Sequence, residues 1–347
     1  MTEWKEYKLG DVATFAYGKL PKKELLGKGN YITFSGYKYV DSYPEYNCEK
    51  GDVILVARGV GGTGDVKLTM QRCFLTNLSI KIVLDNSIVL NDYFYNMFRQ
   101  ENLRYLDSGS AQSQITIQDL GNVIIEVPSV NVQRKVSAIL SSIDDKIDLL
   151  YRENATLEQM AETLFRQWFL VEAKEEWEDV LLGNLIDIGS GKGLQRSDFV
   201  ENGFYSVLGA NGEIGKTNKY LVSESDRVIY TGRVGTLGNV FRLENEKAWL
   251  SDNTLVIKPK EYYNFVYFVL KLSRLQDYNV GSTQPLIRQS DIKEIELVLP
   301  DRGILNAFEK ECDLIYEKVE NNNKQIQTLI QTRDGLLPRL MGGEVKI

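Results

Sequence analysis

The chain has 347 residues, 43% of them hydrophobic, which suits two or three domains with substantial cores. It carries 41 basic and 48 acidic residues and no histidine, for a net charge of −7. That balance argues against autonomous tight binding of nucleic acid, and the missing histidine removes the commonest general base and metal ligand.

The first segment, residues 1–130, opens on Trp4-Lys-Glu-Tyr-Lys-Leu-Gly and reaches the pair Gly18-Lys19. A strand-like run, Gly51-Asp-Val-Ile-Leu-Val, leads into a glycine-rich turn that starts at Arg58. Glycine at this density between apolar runs predicts a hairpin with residues at φ > 0. A further strand is expected at Leu75–Ile80, then an aromatic helix near Asp92–Leu106, a polar loop with Ser110 and Gln112, and a last strand ending at Val127-Pro128.

Residues 131–172 follow as a long helix. Its apolar positions are Val136, Leu140, Ile143, Ile147, Leu150, Leu157, Ala161, Leu164 and Trp168, with Asn154 in the one gap. Steps of four and three make a heptad seam, which asks for a partner helix along its length. Adding 172 to these numbers leads to Phe308, Cys312, Ile315, Val319, Asn322, Ile326 and Leu329 in a second long helix, within residues 301–347. The second seam also carries a polar residue, Asn322, and a seam Asn fixes register at some cost in stability.

Residues 173–300 repeat the first segment. Trp177-Glu-Asp-Val-Leu-Leu-Gly leads to Gly191-Lys192, a strand at Asp226–Tyr230, a turn starting at Arg233, an aromatic helix near Tyr262–Tyr278, and a polar loop with Ser282 and Gln284. The chain therefore reads as a tandem duplication: globular unit, long helix, globular unit, long helix. Tyr31–Tyr46 and Tyr205–Lys219, in the middle of the two units, do not match. Like scaffolds with unlike inserts suggest two similar bodies of different specificity.

No catalytic constellation emerges. The turn after Arg58 superficially resembles a phosphate loop, but Asp65-Val66 stands where Gly64 would need Lys-Ser/Thr after it. The Asn/Asp-Pro-Pro-aromatic tetrapeptide of a methyltransferase is missing, and the fragments Pro300-Asp301 and Glu344-Val-Lys346 of a nuclease pattern fall at opposite ends of a helix. A Ser or Cys nucleophile would lack a His partner. Cys48, Cys73 and Cys312 suggest neither a disulfide framework nor a metal site. The binding residues are better placed. Arg58 and Arg233 occupy equivalent turns, and Arg pairs with guanine edges or phosphate. Gln112 and Gln284, beside Ser110 and Ser282, could read adenine; Lys19 and Lys192 suit phosphate; Asn211, before Gly212, forms an exposed turn tip. No apolar run approaches ~18 residues and no signal peptide is evident, so a cytoplasmic protein without membrane contact is expected.

The order of these motifs, twice over, resembles a type I restriction–modification specificity subunit. The resemblance rests on the paired WxxxxLG openings, the arginine–glycine turns, the GSxQ loops, the helix from Gln133, and the closing Leu336-Leu-Pro-Arg-Leu-Met-Gly-Gly-Glu. It implies an α+β fold with two α/β target recognition domains and two long helices packed as an antiparallel coiled coil in a pseudo-two-fold repeat. It implies that each domain reads half of a split double-stranded DNA target, while the helices set the spacing and dock two modification subunits. The chain itself would be non-catalytic and hold no cofactor. S-adenosylmethionine, ATP and Mg would belong to the modification and restriction subunits. Its recognition domains are shorter than is usual in that family. The alternative is a coiled-coil structural adaptor whose globular ends bind proteins.

Overall fold

A computed structural model of the chain describes residues 4–36, 38–59, 62–107 and 113–345. The chain folds as two compact units, Met1–Leu149 with Gln325–Ile347, and Leu150–Lys324.

In the first unit the elements run β1 (Lys5–Lys8), α1 (Leu9–Val12), β2 (Ala13–Tyr17), β3 (Tyr31–Ser35), β4 (Lys38–Tyr43), β5 (Val53–Val56), β6 (Val66–Leu68), β7 (Cys73–Leu75), β8 (Ser79–Leu84), α2 (Asn91–Met97), α3 (Ile117–Gly121) and β9 (Ile124–Val127). They form a four-stranded sheet β2-β8-β5-β6, a three-stranded sheet β4-β3-β7 and a pair β1-β9. Every residue of β5 is buried, which is why Val53–Val56 reads as an unbroken apolar run rather than an alternating one. The β5–β6 connection turns through Gly59 at φ 130° and Gly64 at φ 97°, as the glycine density predicts. β3 pairs with β7 in parallel, bringing Phe34 beside Leu75.

The second unit repeats this strand for strand. Its elements are β10 (Glu178–Leu181), β11 (Ile186–Ser190), β12 (Tyr205–Gly209), β13 (Gly212–Thr217), β14 (Val228–Gly232), β15 (Val240–Leu243), β16 (Ala248–Leu250), β17 (Thr254–Pro259), α5 (Tyr263–Leu272), α6 (Gln289–Lys293) and β18 (Glu296–Leu299). The sheets are β11-β17-β14-β15, β13-β12-β16 and β10-β18. The unmatched inserts therefore fold alike, as the hairpins β3–β4 and β12–β13. Each carries a register shift, between Ile32 and Thr33 in the first and between Val207 and Leu208 in the second, one residue farther along the strand. The aromatic helices are shorter than their patterns predict. α2 and α5 end at Met97 and Leu272, and separate 3-10 turns follow at Leu103–Leu106 and Leu275–Tyr278. In the second unit the break is backbone-driven, because Arg274 takes a left-handed conformation at φ 50° that no helix continues through.

The long helices are α4 (Val130–Arg166) and α7 (Arg302–Met341). Their seam faces inward. Val136, Leu140, Ile147, Leu150, Asn154, Val319, Asn322 and Ile326 are buried, and Ile143, Leu157, Ile315 and Leu329 are half-buried. The pairing is antiparallel. In the first unit Asp144 of α4 binds Arg333 of α7, and Val136 and Leu140 share a core with Leu337 and Leu340. In the second, Asn154 meets Asn322, and Phe165 packs on Phe308 with ring centroids 5.9 Å apart. Each unit's core thus includes a piece of both helices. Val53, Leu55, Ile82 and Phe94 complete the first core, and Phe265, Phe268 and Ile292 the second. Burying each such side chain stabilises by roughly 1.5–3 kcal/mol. Beyond Arg166, a π-helical turn at Gln167–Val171 carries the seam through Trp168 and Phe169.

No helix among the described residues is long and apolar enough to cross a membrane.

Candidate nucleic-acid interface

Each unit builds its candidate surface on one short loop, Leu75–Leu78 in the first and Leu250–Asn253 in the second. Lys19 donates its backbone N–H to the Leu75 carbonyl at 3.0 Å, and Lys192 donates to that of Leu250 at 2.8 Å. The glycine before each lysine allows the approach. A Cβ on Gly18 would lie 2.2 Å from the Thr76 carbonyl oxygen, and one on Gly191 would lie 2.1 Å from that of Ser251. Backbone at that range leaves room for no side chain. Both lysine side chains stay exposed.

The matched arginines bond the other end of the same loops. Arg58 donates its backbone N–H to Leu78 at 3.0 Å, and Arg233 donates to Asn253 at 2.7 Å. Both are half-buried. The Arg58 guanidinium stands 5.8 Å from the ring centroid of Tyr17, and its Nε is buried without a hydrogen-bond partner among the described residues. No carboxylate of the described residues makes an ion pair with Lys19, Arg58, Lys192 or Arg233. By contrast, Lys216 and Lys219, within the insert of the second unit, are paired with Glu213 at 2.8 Å and Asp198 at 2.8 Å. The hydrogen bonds from Lys216 and Ser206 hold the Glu213 carboxyl below the usual range.

The polar loops are drawn to the arginines by short strand-like bridges. Arg58 bridges Gln114, and Val234 bridges Leu286. Ser282 and Gln284 are exposed. A clasp at the same repeat position closes each loop: Asn279 Oδ1 accepts from the N–H groups of Gly281 and Leu286, both at 3.0 Å, and Asp107 Oδ1 accepts from Gln114 at 2.8 Å. Sequence reasoning missed these clasps, although their 172-residue offset was the available signal. Ser110 and Gln112 lie outside the described residues, as does Lys346 of the nuclease pattern.

Asn211 sits at the exposed tip of the β12–β13 hairpin, beside the Gly232–Asn239 turn. Arg233, the Ser282–Gln284 loop and the Asn211 tip thus belong to three segments joined by direct contacts. Tyr17, Trp249, Thr236 and Asn239 were not anticipated. Trp249 donates its indole N–H to the Lys192 carbonyl at 2.8 Å. No group of three or more His, Cys, Asp or Glu able to hold a metal occurs among the described residues.

The sequence matches the type I restriction modification DNA specificity domain twice, over residues 1–159 and 174–329. The chain belongs to this family. It is a type I restriction–modification specificity subunit, and its two family matches coincide with the repeat read from the motifs. It is 24% identical to the MjaIX specificity subunit of Methanocaldococcus jannaschii, over 99% of this chain and 94% of that protein. It is 23% identical to the HindI specificity subunit of Haemophilus influenzae, over 99% and 100%. The crystal structure of the type I S subunit from M. genitalium is alike in fold, with a TM-score of 0.66 at 20% identity and coverage of 98% of this chain and 96% of that one. The adaptor alternative gains nothing from these matches.

Proposed function

We propose that each unit reads one half of a bipartite DNA target, and that the α4–α7 pair sets the gap between the halves and docks two modification subunits. The observation that carries this reading is the matched lysine and arginine, without a carboxylate ion pair among the described residues, on equivalent loops of a duplicated scaffold. Lysine suits phosphate and so sets position; arginine suits guanine N7 and O6, or phosphate. The hairpin tips and polar loops beside them differ between units and supply the difference in sequence read. A net charge of −7 is compatible with this, because the phosphate contacts are local and the partner subunits contribute others. The chain performs no chemistry of its own in this reading. Methyl transfer, with S-adenosylmethionine, and any ATP- and Mg-dependent cleavage belong to the partners, and the complex works in the cytoplasm.

Replacing Arg233 with Ala tests the division of labour. In a complex with the modification subunits, base preference should relax at one half-site, by roughly 1–3 kcal/mol if Arg233 meets a base. The other half should keep its preference. Equal loss in both halves, read by sequencing the methylated sites, would refute separate reading.

A further inference from the structure

The tip of the β12–β13 hairpin carries an organised polar chain. Asn211 donates from Nδ2 to Thr236 Oγ1 at 3.0 Å, and Asn239 donates from Nδ2 to Asn211 Oδ1 at 3.2 Å. All three residues are exposed. Exposed amides and hydroxyls ordinarily bond water, and linking three of them costs side-chain freedom. Here the backbone is shaped to bring them together. A Cβ on Gly232 would lie 2.1 Å from the Thr236 carbonyl oxygen and 2.9 Å from Ala210 Cβ, so only glycine lets the β14–β15 turn close onto the hairpin tip. Gly212, Gly235 and Gly238 take φ values of 105°, 85° and 95°. The Arg233 side chain emerges from the same turn.

Valence decides what Asn211 can still do. Its amide has two N–H donors and an oxygen with two lone pairs. The chain uses one donor and one lone pair. Reversing the chain, with Thr236 donating to Asn211 and Asn211 donating to Asn239, also uses one of each. Either way, one N–H and one lone pair remain. Those are the two groups needed to pair with the N7 acceptor and N6 donor of adenine in the major groove. Guanine presents two acceptors there and would leave the lone pair unmatched.

We propose that Asn211 reads an adenine in the half-site of the second unit, and that Thr236 and Asn239 are positioning residues that hold its amide for this. The inference rests on the reading of that unit as a DNA reader. It goes further in naming the base and the residues that fix the reading group.

The test uses the full chain in complex with its modification subunits and a library of duplexes randomised over the half-site. Asn211→Ala, Thr236→Val and Asn239→Ala should each flatten preference at one adenine position by roughly tenfold or more, leaving the remaining positions and the salt dependence of binding unchanged. Thr236→Ser keeps the hydroxyl and should keep the preference. Placing 7-deazaadenine at that position removes the N7 acceptor, so it should weaken the parent complex by a similar factor and the Asn211→Ala complex little. Unchanged preference in Asn211→Ala, a loss spread over the whole half-site, or equal losses from 7-deazaadenine in both complexes would overturn the proposal. If the parent complex selects no sequence at this half-site, the reading of the unit as a DNA reader fails instead.

Discussion

Asn154 and Asn322 offer a quantitative test of how the helix pair is held. Both face the seam, exposed by only 8% and 2%, and Asn322 Nδ2 donates to Asn154 Oδ1 at 2.9 Å. Asn154 Nδ2 donates in turn to Asn323 Oδ1 at 2.8 Å. Asn322→Ala removes that first donor and strands a buried acceptor, which costs roughly 1–3 kcal/mol. With the lost packing, we expect the second unit to weaken by on the order of 2 kcal/mol. The double change Asn154→Leu with Asn322→Leu strands nothing in the seam. Asn323 is exposed and can bond water instead. Two hydrogen bonds worth about 1 kcal/mol each are lost, against roughly 1.5–3 kcal/mol for each newly buried leucine. The double variant should therefore equal or exceed the parent in stability, while losing the polar pair that specifies register. Urea unfolding followed by tryptophan fluorescence suits the measurement, because Trp168, Trp177 and Trp249 all lie in the second unit. An Asn322→Ala midpoint equal to the parent's, or a double variant no more stable than Asn322→Ala, would refute the reasoning.

Three further outcomes are expected. Burial alone would raise the pKa of Asp144, but hydrogen bonds from Arg99 at 2.9 Å and Arg333 at 2.9 Å outweigh it and hold the carboxyl below its usual range. A depressed folded pKa gives stability that is present above the unfolded value of about 3.9 and lost as pH falls through the folded one; Asp144→Asn should lose roughly 1–2 kcal/mol at pH 7 and show a flatter acid response in the first unit by thermal unfolding. Gly191→Ala forces a Cβ to within 2.1 Å of the Ser251 oxygen and should lower the melting temperature of the second unit, whereas Gly189→Ala meets nothing within 4 Å and should not; equal melting temperatures would contradict the close-approach argument. Inserting one matched heptad in both α4 and α7 lengthens each by roughly 10 Å, about three base pairs, so methylated sites should show a longer gap and unchanged half-sites; an active variant with the parental gap would remove the helices as the spacer.

What could be read before the structure was whatever repeats with a period. The seam from Val136 to Trp168 declares itself because inward positions must recur every three or four residues. The sequence placed one polar residue in each seam, Asn154 and Asn322, and only the fold shows the two bonded to each other. The lysine and arginine positions were legible for the same reason, as duplicated words. What brings them onto one loop was not. Lys19 reaches Leu75, and Lys192 reaches Leu250, through backbone hydrogen bonds and parallel pairings of β3 with β7 and β12 with β16, which impose no side-chain pattern. The same physics hid the kinship of the inserts. A hairpin ladder is held by backbone groups, so Tyr31–Tyr43 and Tyr205–Thr217 share a fold, each with one register shift, although their sequences differ after the opening tyrosine. The Asn211–Thr236–Asn239 chain spans 25 and 28 residues and has no period at all. This indifference of the backbone to side-chain identity bears on function. Tips mounted on ladders and glycine contacts can change their polar groups without unfolding the frame, whereas seam and core positions cannot. New sequence preference should therefore arise by changes at tips such as Asn211, with Lys192, Gly191 and the helix seam left alone.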